Sequence, residues 1–275
     1  MKAGIVCCSN GIEPRKKDLI IRLRDVLSEM GISSVLSDHI FMKGSVYSGT
    51  GKERADDLMK FYQNDSIDVI FDISGGDLAN EVLPWIDFGK IAESEKMFFG
   101  YSDLTTILNA IYTKTEKSSV LYQVLNLVGT EAEMQQKRFQ KSILQGQDEL
   151  YRFRYSFLQG NELHGIVVGG NIRCFLKLAG TPYFPNTEGK ILLLEAMSGD
   201  VAKIATYLSQ LNQIGVFKSV SGIILGTFTM LGTDPFKLLQ QYISSDLPVV
   251  QTPDVGHGQD ANAVKIGGYI DCRRV

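Results

Sequence analysis

Histidine, cysteine and tryptophan are scarce in this chain, which has three, four and one of them among 275 residues. Metal centres need clustered histidine, cysteine or acidic side chains, and the sequence shows no such cluster. Two cysteines, Cys7 and Cys8, are adjacent within an apolar run, which matches neither a disulfide framework nor a metal motif. We therefore expect no bound metal, and cysteines that are core thiols.

Long runs of apolar residues and of basic residues are also missing. No apolar segment approaches the roughly 20 residues of a membrane span, and the first apolar run is too short for a signal peptide. No basic block exceeds the three residues at 15–17, and the net charge is -3 with a pI near 5.7, which argues against nucleic-acid binding. The G-x-G-x-x-G and G-x-x-x-x-G-K-[ST] loops are absent. We expect a cytoplasmic protein without a cofactor and without membrane or nucleic-acid partners.

The first half of the chain alternates short apolar strands with amphipathic helices. This pattern predicts βαβ units and a parallel sheet, in which ligands bind at the carboxyl ends of the strands. Strands are predicted at 3–8, 32–36, 67–73 and 97–101, and helices at 19–30, 52–63 and 104–114.

A change in the pattern of apolar and polar residues at 145–148 predicts a domain boundary. We assign 1–148 to a doubly wound α/β domain and 149–275 to a smaller, more β-rich domain. In the second part, strands are predicted at 190–194, 220–225, 247–251 and 264–270, and helices at 172–178, 201–211 and 235–243. The apolar segment 120–128 is ambiguous between strand and buried helix, and 131–144 is predicted to be a charged helix.

Ser102 lies in the segment GYSDLT, where a buried strand should turn into a helix. Such a turn pushes a hydroxyl clear of the sheet, as in nucleophile elbows, although G-x-S-x-G would place glycine where Leu104 stands. The N–H groups of the following helix start would stabilise negative charge on a carbonyl oxygen. The alternative is that Ser102 and Asp103 are only helix caps.

Among the three histidines, His257 is the candidate for chemistry, because Gly256 and Gly258 flank it in a loop after a buried strand. His39 and His164 are interpreted as structural. Glu195 ends an apolar strand, where a buried carboxylate needs a partner. An acid can hold histidine in one tautomer while the other ring nitrogen takes a serine proton, so Ser102, Glu195 and His257 form a candidate triad.

Six separated blocks resemble the LD-carboxypeptidase family of serine peptidases, which includes the microcin C self-immunity peptidases. The blocks cover nearly the whole chain: IVCCSNGI at 5–12, GGDLANEVLPWIDF at 75–88, GYSDLT at 100–105, GGNIRCFLKLAGTPY at 169–183, GKILLLE at 189–195 and GHGQDANAVKIGG at 256–268.

The resemblance implies roles for five residues. Ser102 would be the nucleophile, His257 the general base and Glu195 the acid that orients it, while the backbone N–H groups of Gly76 and Asp103 would form the oxyanion hole. It also implies a flavodoxin-like N-terminal domain, a smaller β-rich C-terminal domain and a homodimer.

The family cleaves an amide between an L-centre and a D-residue, typically releasing D-Ala from a cytoplasmic murein tetrapeptide, whereas microcin-type members cut peptidyl or aminoacyl nucleotide analogues. This chain departs from the common pattern at 121–124, at Ser74 and at 196–198, and these departures affect the substrate. The single tryptophan is Trp85, and the segment from Gly180 to Glu195 is short, which favours a small peptide over a nucleobase. A non-catalytic muropeptide-binding relative is a further alternative.

Overall fold

The computed structural model describes residues 1–274, which contain two six-stranded sheets. The first sheet has the strand order β11-β5-β4-β3-β1-β2, and all neighbours are parallel except β11 and β5. The order 2-1-3-4-5 is that of the flavodoxin-like fold, so this prediction is confirmed. Its strands are β1 (Lys2–Val6), β2 (Ser33–Leu36), β3 (Val69–Asp72), β4 (Met97–Gly100), β5 (Ser119–Leu121) and β11 (Val264–Ile266).

Helices cover both faces of the first sheet. The α-helices are α1 (Lys17–Glu29), α2 (Gly51–Tyr62), α3 (Phe88–Glu93), α4 (Thr105–Thr115) and α5 (Ala132–Phe139). Short 3-10 segments lie at Pro14–Lys16, Ala79–Trp85, Ser102–Leu104 and Val124–Val128, and a π turn follows α5 at Gln140–Leu144. The start of α2 shows why these helices begin where they do: Thr50 and Glu53 form a reciprocal capping box that satisfies two otherwise unpaired N–H groups.

The second sheet has the order β12-β7-β8-β9-β10-β6, and its four central strands are parallel. Its strands are β6 (Ser156–Gln159), β7 (Glu162–Asn171), β8 (Ile191–Ala196), β9 (Gly222–Phe228), β10 (Val249–Gln251) and β12 (Tyr269–Arg273), and its helices are α6 (Ile172–Leu176), α7 (Val201–Gln213), α8 (Val216–Ser219) and α9 (Pro235–Leu239). This half is therefore also an α/β layer, with antiparallel strands only at its edges.

Three layers of apolar side chains follow from the two-residue period of the strands. Along β8, Leu192 and Leu194 face the cluster under α7 and α8, whereas Ile191 and Leu193 face the opposite way. That opposite cluster continues without a break into the first sheet and its helices α2 to α4. The two sheets therefore share one continuous core, and a third cluster lies under α1 and α5.

The prediction of one strand at 264–270 is wrong. Val264–Ile266 forms β11 of the first sheet, and Tyr269–Arg273 forms β12 of the second. Gly267 separates them with a left-handed φ of 82°, and its N–H donates to the Val167 carbonyl oxygen. The apolar pattern continues through this turn because both strands are half-buried, so the pattern alone does not locate the break.

Two other predicted elements are shorter than expected. Segment 120–128 divides into the end of β5 and a 3-10 turn, and the helix predicted at 235–243 ends at Leu239. The boundary at 148/149 stays a prediction, although the pairing of β11 with β5 means that the chain returns to the first sheet. No helix within residues 1–274 is long and apolar enough to cross a membrane.

Candidate active site

Ser102 occupies the turn between β4 and α4 with a backbone φ of 56°. This left-handed conformation costs a residue with a Cβ roughly 1–2 kcal/mol, and only one other non-glycine residue among 1–274, Glu116 at the end of α4, adopts it. Ser102 does not cap either helical segment through its side chain. Strain of this kind at a strand-to-helix turn is typical of nucleophile elbows.

Gly100 allows this turn to close. A Cβ placed at Gly100 would lie 2.7 Å from Cβ of Leu104, which is fully buried over the glycine. An elbow with glycine on both sides of the nucleophile would leave more room, but one glycine suffices here because the leucine side chain turns into the core. The departure from G-x-S-x-G is thus accommodated by packing.

The side chain of Asp103 stabilises the turn through hydrogen bonds and an ion pair. The Ser9 hydroxyl donates to Asp103 Oδ2 at 2.7 Å, and the Ala79 N–H donates to the same oxygen at 2.8 Å. Lys177, just after α6, forms an ion pair with the other carboxylate oxygen. The fully buried Asp103 side chain therefore joins loops from three different elements beneath Ser102.

The turn after β3 presents Gly76 with φ of 123°. A Cβ at this position would overlap the side chain of Asn10, whose Oδ1 accepts the N–H of Asp77 at 3.0 Å, so only glycine is tolerated. Within residues 1–274, the Gly76 N–H donates no hydrogen bond. This predicted oxyanion donor is thus left without an acceptor in the described part of the chain.

Glu195 is fully buried near the end of β8, where a register shift between β8 and β9 marks a bulge. Bulges re-aim side chains at strand ends. The Glu195 Cβ packs over Gly226, where an added Cβ would come within 3.1 Å of it. Asn171 lies directly opposite Glu195 in the β7–β8 register, and its Nδ2 donates to Glu195 Oε1 at 3.0 Å.

His257 lies in the loop between β10 and β11 and reaches the same carboxylate. Its Nδ1 is 2.7 Å from Glu195 Oε2, so the two carboxylate oxygens are shared between Asn171 and His257. Gly256 has φ of 150°, and any side chain there would overlap Thr227. The glycine before His257 therefore lets the loop approach the end of β9 closely.

Anchors on α5 hold this loop against the first sheet. The buried Gln135 side chain donates to the carbonyl oxygens of Gln259 and Ala261, at 3.1 and 2.9 Å, and accepts the Tyr122 hydroxyl at 2.9 Å. Tyr101, the neighbour of Ser102, packs edge-on against the His257 ring with centroids 4.7 Å apart. Burial, together with the negative charge of Glu195, raises the pKa of the Tyr101 phenol.

All three predicted residues lie at or near the carboxyl ends of strands: Ser102 follows β4, Glu195 is near the end of β8, and His257 is in the loop after β10. Glu195 and His257 are hydrogen-bonded, whereas Ser102 is joined to them through the contact of Tyr101 with His257. The His257 Nε2 is buried and has no hydrogen-bond partner among the described residues. A histidine held at Nδ1 with its Nε2 unused is the arrangement that general-base catalysis requires.

Comparison with known sequence families agrees with this geometry. Residues 3–122 match the LD-carboxypeptidase N-terminal domain, and residues 164–271 match the LD-carboxypeptidase C-terminal domain.

The chain belongs to the LD-carboxypeptidase family.

Relatives of this LD-carboxypeptidase family member include a murein peptide carboxypeptidase and a microcin self-immunity protein. A probable murein peptide carboxypeptidase of Bacillus subtilis is 26% identical over 279 residues, covering 96% of this chain and 86% of the relative. The microcin C7 self-immunity protein MccF of Escherichia coli is 27% identical over 258 residues, covering 80% and 75%.

Solved structures of the same two kinds share the fold. The muramoyltetrapeptide carboxypeptidase of Oxalobacter formigenes superposes with a TM-score of 0.86 at 21% identity, covering 100% of this chain and 96% of that one. MccF in complex with glutamyl sulfamoyl guanosine gives a TM-score of 0.87 at 23% identity, covering 98% and 92%. The predicted family, the α/β fold and the assignment as a serine-type carboxypeptidase are thereby confirmed.

Sequence reasoning missed Asn171 and Tyr101 in this LD-carboxypeptidase site. Asn171 follows two glycines and caps α6 by accepting the Cys174 N–H, so the pattern indicated only a turn. Its contact with Glu195 depends on strand register, which no local motif encodes. Tyr101 was interpreted only as the last residue of an apolar strand.

The other two histidines have partners outside the candidate triad. His39 Nδ1 is 2.9 Å from Asp57, and His164 lies in β7 opposite Asp271. All four cysteines are buried and free, as predicted, and burial raises the pKa of each thiol. Among residues 1–274, no group of three or more His, Cys, Asp or Glu side chains could hold a metal ion.

Proposed function

We propose that this chain is a serine carboxypeptidase that hydrolyses an amide between an L-centre and a D-residue, with Ser102 as nucleophile, His257 as general base and Glu195 as the orienting acid. The observation that carries the proposal is the buried hydrogen bond between His257 Nδ1 and the Glu195 carboxylate, which leaves Nε2 unused. The strained backbone of Ser102 supports it.

The proposed reaction follows from these contacts. With Nδ1–H donating to Glu195, His257 Nε2 accepts the Ser102 proton as Oγ attacks the substrate carbonyl. The N–H groups of Gly76 and Asp103 donate to the oxygen that becomes negatively charged. His257 then gives its proton to the leaving amine, and water hydrolyses the acyl-enzyme by the same route in reverse.

The substrate that we favour is a murein tetrapeptide, from which the enzyme would release terminal D-Ala. A relative named as a murein peptide carboxypeptidase aligns over 96% of this chain. Two aromatic residues of the short segment before β8 are half-buried and pack against other rings: Phe184 lies 4.9 Å from Phe175, and Tyr183 lies 5.8 Å from Phe88, between ring centroids. They are therefore engaged in packing, which disfavours stacking on a nucleobase.

The second candidate is cleavage of aminoacyl or peptidyl nucleotide analogues, supported by the alignment with MccF over 80% of this chain. A solved MccF structure contains glutamyl sulfamoyl guanosine. Hydrolysis of an aminoacyl sulfamoyl adenylate, without hydrolysis of a murein tetrapeptide, would reverse our order of preference. A non-catalytic muropeptide-binding role is disfavoured because all three triad residues are present.

The deciding experiment is mass spectrometry of the products formed from a murein tetrapeptide ending in D-Ala. We expect release of D-Ala by the wild-type chain, and a loss of several orders of magnitude in the folded Ser102→Ala variant. A fluorophosphonate should label Ser102 in the wild type only. Near-wild-type turnover by Ser102→Ala would contradict the assignment. The cytoplasmic location and the homodimer stay predictions, the latter testable by light scattering.

A further inference from the structure

The turn at Gly75 and Gly76, which follows β3, depends on contacts for its conformation. Glycine has no Cβ and populates positive and negative φ about equally, so two consecutive glycines leave the direction of an N–H group weakly determined. The Gly76 N–H must nevertheless point in one direction if it is to stabilise a negatively charged oxygen, because such donors act only when they are positioned before the reaction. Neighbouring groups must therefore hold this turn.

The backbone of Asn10 orients the peptide unit that contains this N–H. The Asn10 N–H donates to the Gly75 carbonyl oxygen at 3.2 Å. A peptide unit is planar and trans, so the Gly75 carbonyl group and the Gly76 N–H point in opposite directions. The hydrogen bond from Asn10 therefore directs the Gly76 N–H away from the loop after β1.

The next peptide unit is held at both of its polar groups. Asn10 Oδ1 accepts the Asp77 N–H at 3.0 Å, and Arg173 Nη2 donates to the Gly76 carbonyl oxygen at 2.9 Å. The Arg173 guanidinium also forms an ion pair with the Asp77 carboxylate. Gly76 thus lies between two anchored peptide planes, and one of the anchors is a side chain from the second half of the chain.

Arg173 reaches this turn from α6, the short helix after β7. Lys177, at the C-terminal end of the same helix, donates to the Asp77 carbonyl oxygen at 2.8 Å and forms the ion pair with Asp103. Two cations of one helix thus hold two successive carbonyl oxygens, those of Gly76 and Asp77. The same helix contacts both segments whose N–H groups are the proposed oxyanion donors.

We propose that Arg173 is a positioning residue for the proposed oxyanion hole, and that its hydrogen bond to the Gly76 carbonyl oxygen keeps the Gly76 N–H directed at the substrate oxygen. Without this bond the peptide unit between Gly76 and Asp77 rotates more freely, and the N–H is misdirected for part of the time. The inference rests on the proposed function, because an oxyanion hole presupposes acyl transfer to Ser102. Its effect belongs to the transition state, and therefore to kcat.

Arg173→Met removes the guanidinium and keeps an unbranched side chain. We expect kcat for release of D-Ala from a murein tetrapeptide to fall by roughly tenfold to a hundredfold, less than the 10²–10³ that loss of a whole oxyanion donor costs, with KM changed by less than about threefold. Arg173→Lys, which keeps a donor for the Gly76 carbonyl oxygen, should recover part of this loss. Arg152→Met is the control, because it removes an exposed arginine that is ion-paired only to Asp148. A lower Tm with unchanged kcat in Arg173→Met would overturn the proposal.

A peptide boronic acid separates positioning from substrate binding, because its tetrahedral adduct with Ser102 places an oxygen where the oxyanion forms. Its affinity should fall in Arg173→Met by about the same factor as kcat. The intact tetrapeptide should bind Ser102→Ala and the double variant Ser102→Ala/Arg173→Met with Kd values within about threefold of each other. Parallel increases in KM and in this Kd would mean that Arg173 binds the substrate itself, and would overturn the proposal.

The rate of labelling by a fluorophosphonate distinguishes failure of this inference from failure of the proposed function. In that reaction the bond from Ser102 Oγ to phosphorus forms, the P–F bond breaks, the serine proton passes to His257, and negative charge develops on the phosphoryl oxygen. Arg173→Met should slow labelling by roughly tenfold or more, and Arg152→Met should not. If the wild type is labelled but releases no D-Ala, the proposed reaction is wrong, and the labelling rates still decide this inference. Equal rates in wild type and Arg173→Met, or no labelling of the wild type, would overturn it.

Discussion

The two halves of the candidate active site are built by different means. Ser102 is presented by the backbone of one short segment, in which Gly100 and a left-handed φ shape the turn. Glu195 and His257 are positioned by hydrogen bonds between side chains from β7, β8 and the loop after β10. Backbone geometry thus positions the proposed nucleophile, whereas a buried polar network positions the proposed base.

This difference predicts different responses to mutation. A buried network loses function when one partner is removed, because the remaining groups are left unsatisfied or adopt the wrong tautomer. Substitutions that relieve or increase the strain of a turn change mainly the free energy of unfolding, because favourable contacts elsewhere in the fold offset that strain. The following substitutions test that contrast, beginning with the largest expected effect.

Glu195→Gln should lower kcat by about 10⁴-fold with little loss of stability, as expected when a histidine is held in the wrong tautomer. The Gln amide can donate to Nδ1, which places the ring proton on Nε2 and prevents His257 from accepting the Ser102 proton. Steady-state kinetics with the cleaved peptide would measure this, with exposed Glu188→Gln as control. A loss below tenfold would show that Glu195 does not orient the base.

Asn171→Ser should lower kcat by roughly tenfold to a hundredfold, because a hydrogen bond to a charged group contributes about 1.5–3 kcal/mol. Serine keeps the N-cap of α6 and removes only the Nδ2 donor to Glu195. Kinetics and thermal melting together separate the two roles. Asn186→Ser on the surface is the control, and a large loss of Tm with unchanged kcat would contradict an orienting role.

Ser102→Gly should be more stable than Ser102→Ala by about 0.5–1 kcal/mol, although both should be inactive. Relief of roughly 1–2 kcal/mol of left-handed strain exceeds the 0.4–1 kcal/mol of chain entropy that glycine costs. Denaturant unfolding would measure the difference. At Ser209, within the regular helix α7, the order should reverse, with alanine more stable. The same order at both sites would show that Ser102 is unstrained.

Arg154→Met should produce the smallest effect, a pH-dependent loss of stability. The guanidinium and the backbone N–H of Arg154 both donate hydrogen bonds to the Asp254 carboxylate. The guanidinium thereby holds the pKa of that carboxyl below the ordinary 3.8. A lowered pKa stabilises the fold above the unfolded-state pKa, and this contribution is lost as pH falls through the folded-state value. The Tm difference from wild type should therefore shrink below pH 3.8, while exposed Arg22→Met should show no such trend.

The turn that carries Ser102 could be predicted from sequence because its determinants are local. The apolar run into Gly100, the helix periodicity after Leu104 and the serine between them lie within one segment, and the structure places Ser102 at that turn. The parallel order of the first sheet followed from the alternation of strands and helices in the same way. Family resemblance supplied the roles assigned to these residues.

The other half depends on contacts between distant parts of the chain. The hydrogen bond of Asn171 to Glu195 requires strand register, and the bulge near Glu195 appears only when β8 pairs with β9. The break at Gly267 was missed because two half-buried strands in different sheets have one continuous apolar pattern. Such features are properties of pairing, which no single segment encodes.

The return of β11 to the first sheet ties the position of His257 to both sheets. The loop that carries His257 begins at β10 in one sheet and ends at β11 in the other. Gln135 holds this loop from the side of the first sheet, and Glu195 holds the His257 ring from the second. The position of the proposed base therefore depends on how the two sheets pack against each other through their shared core.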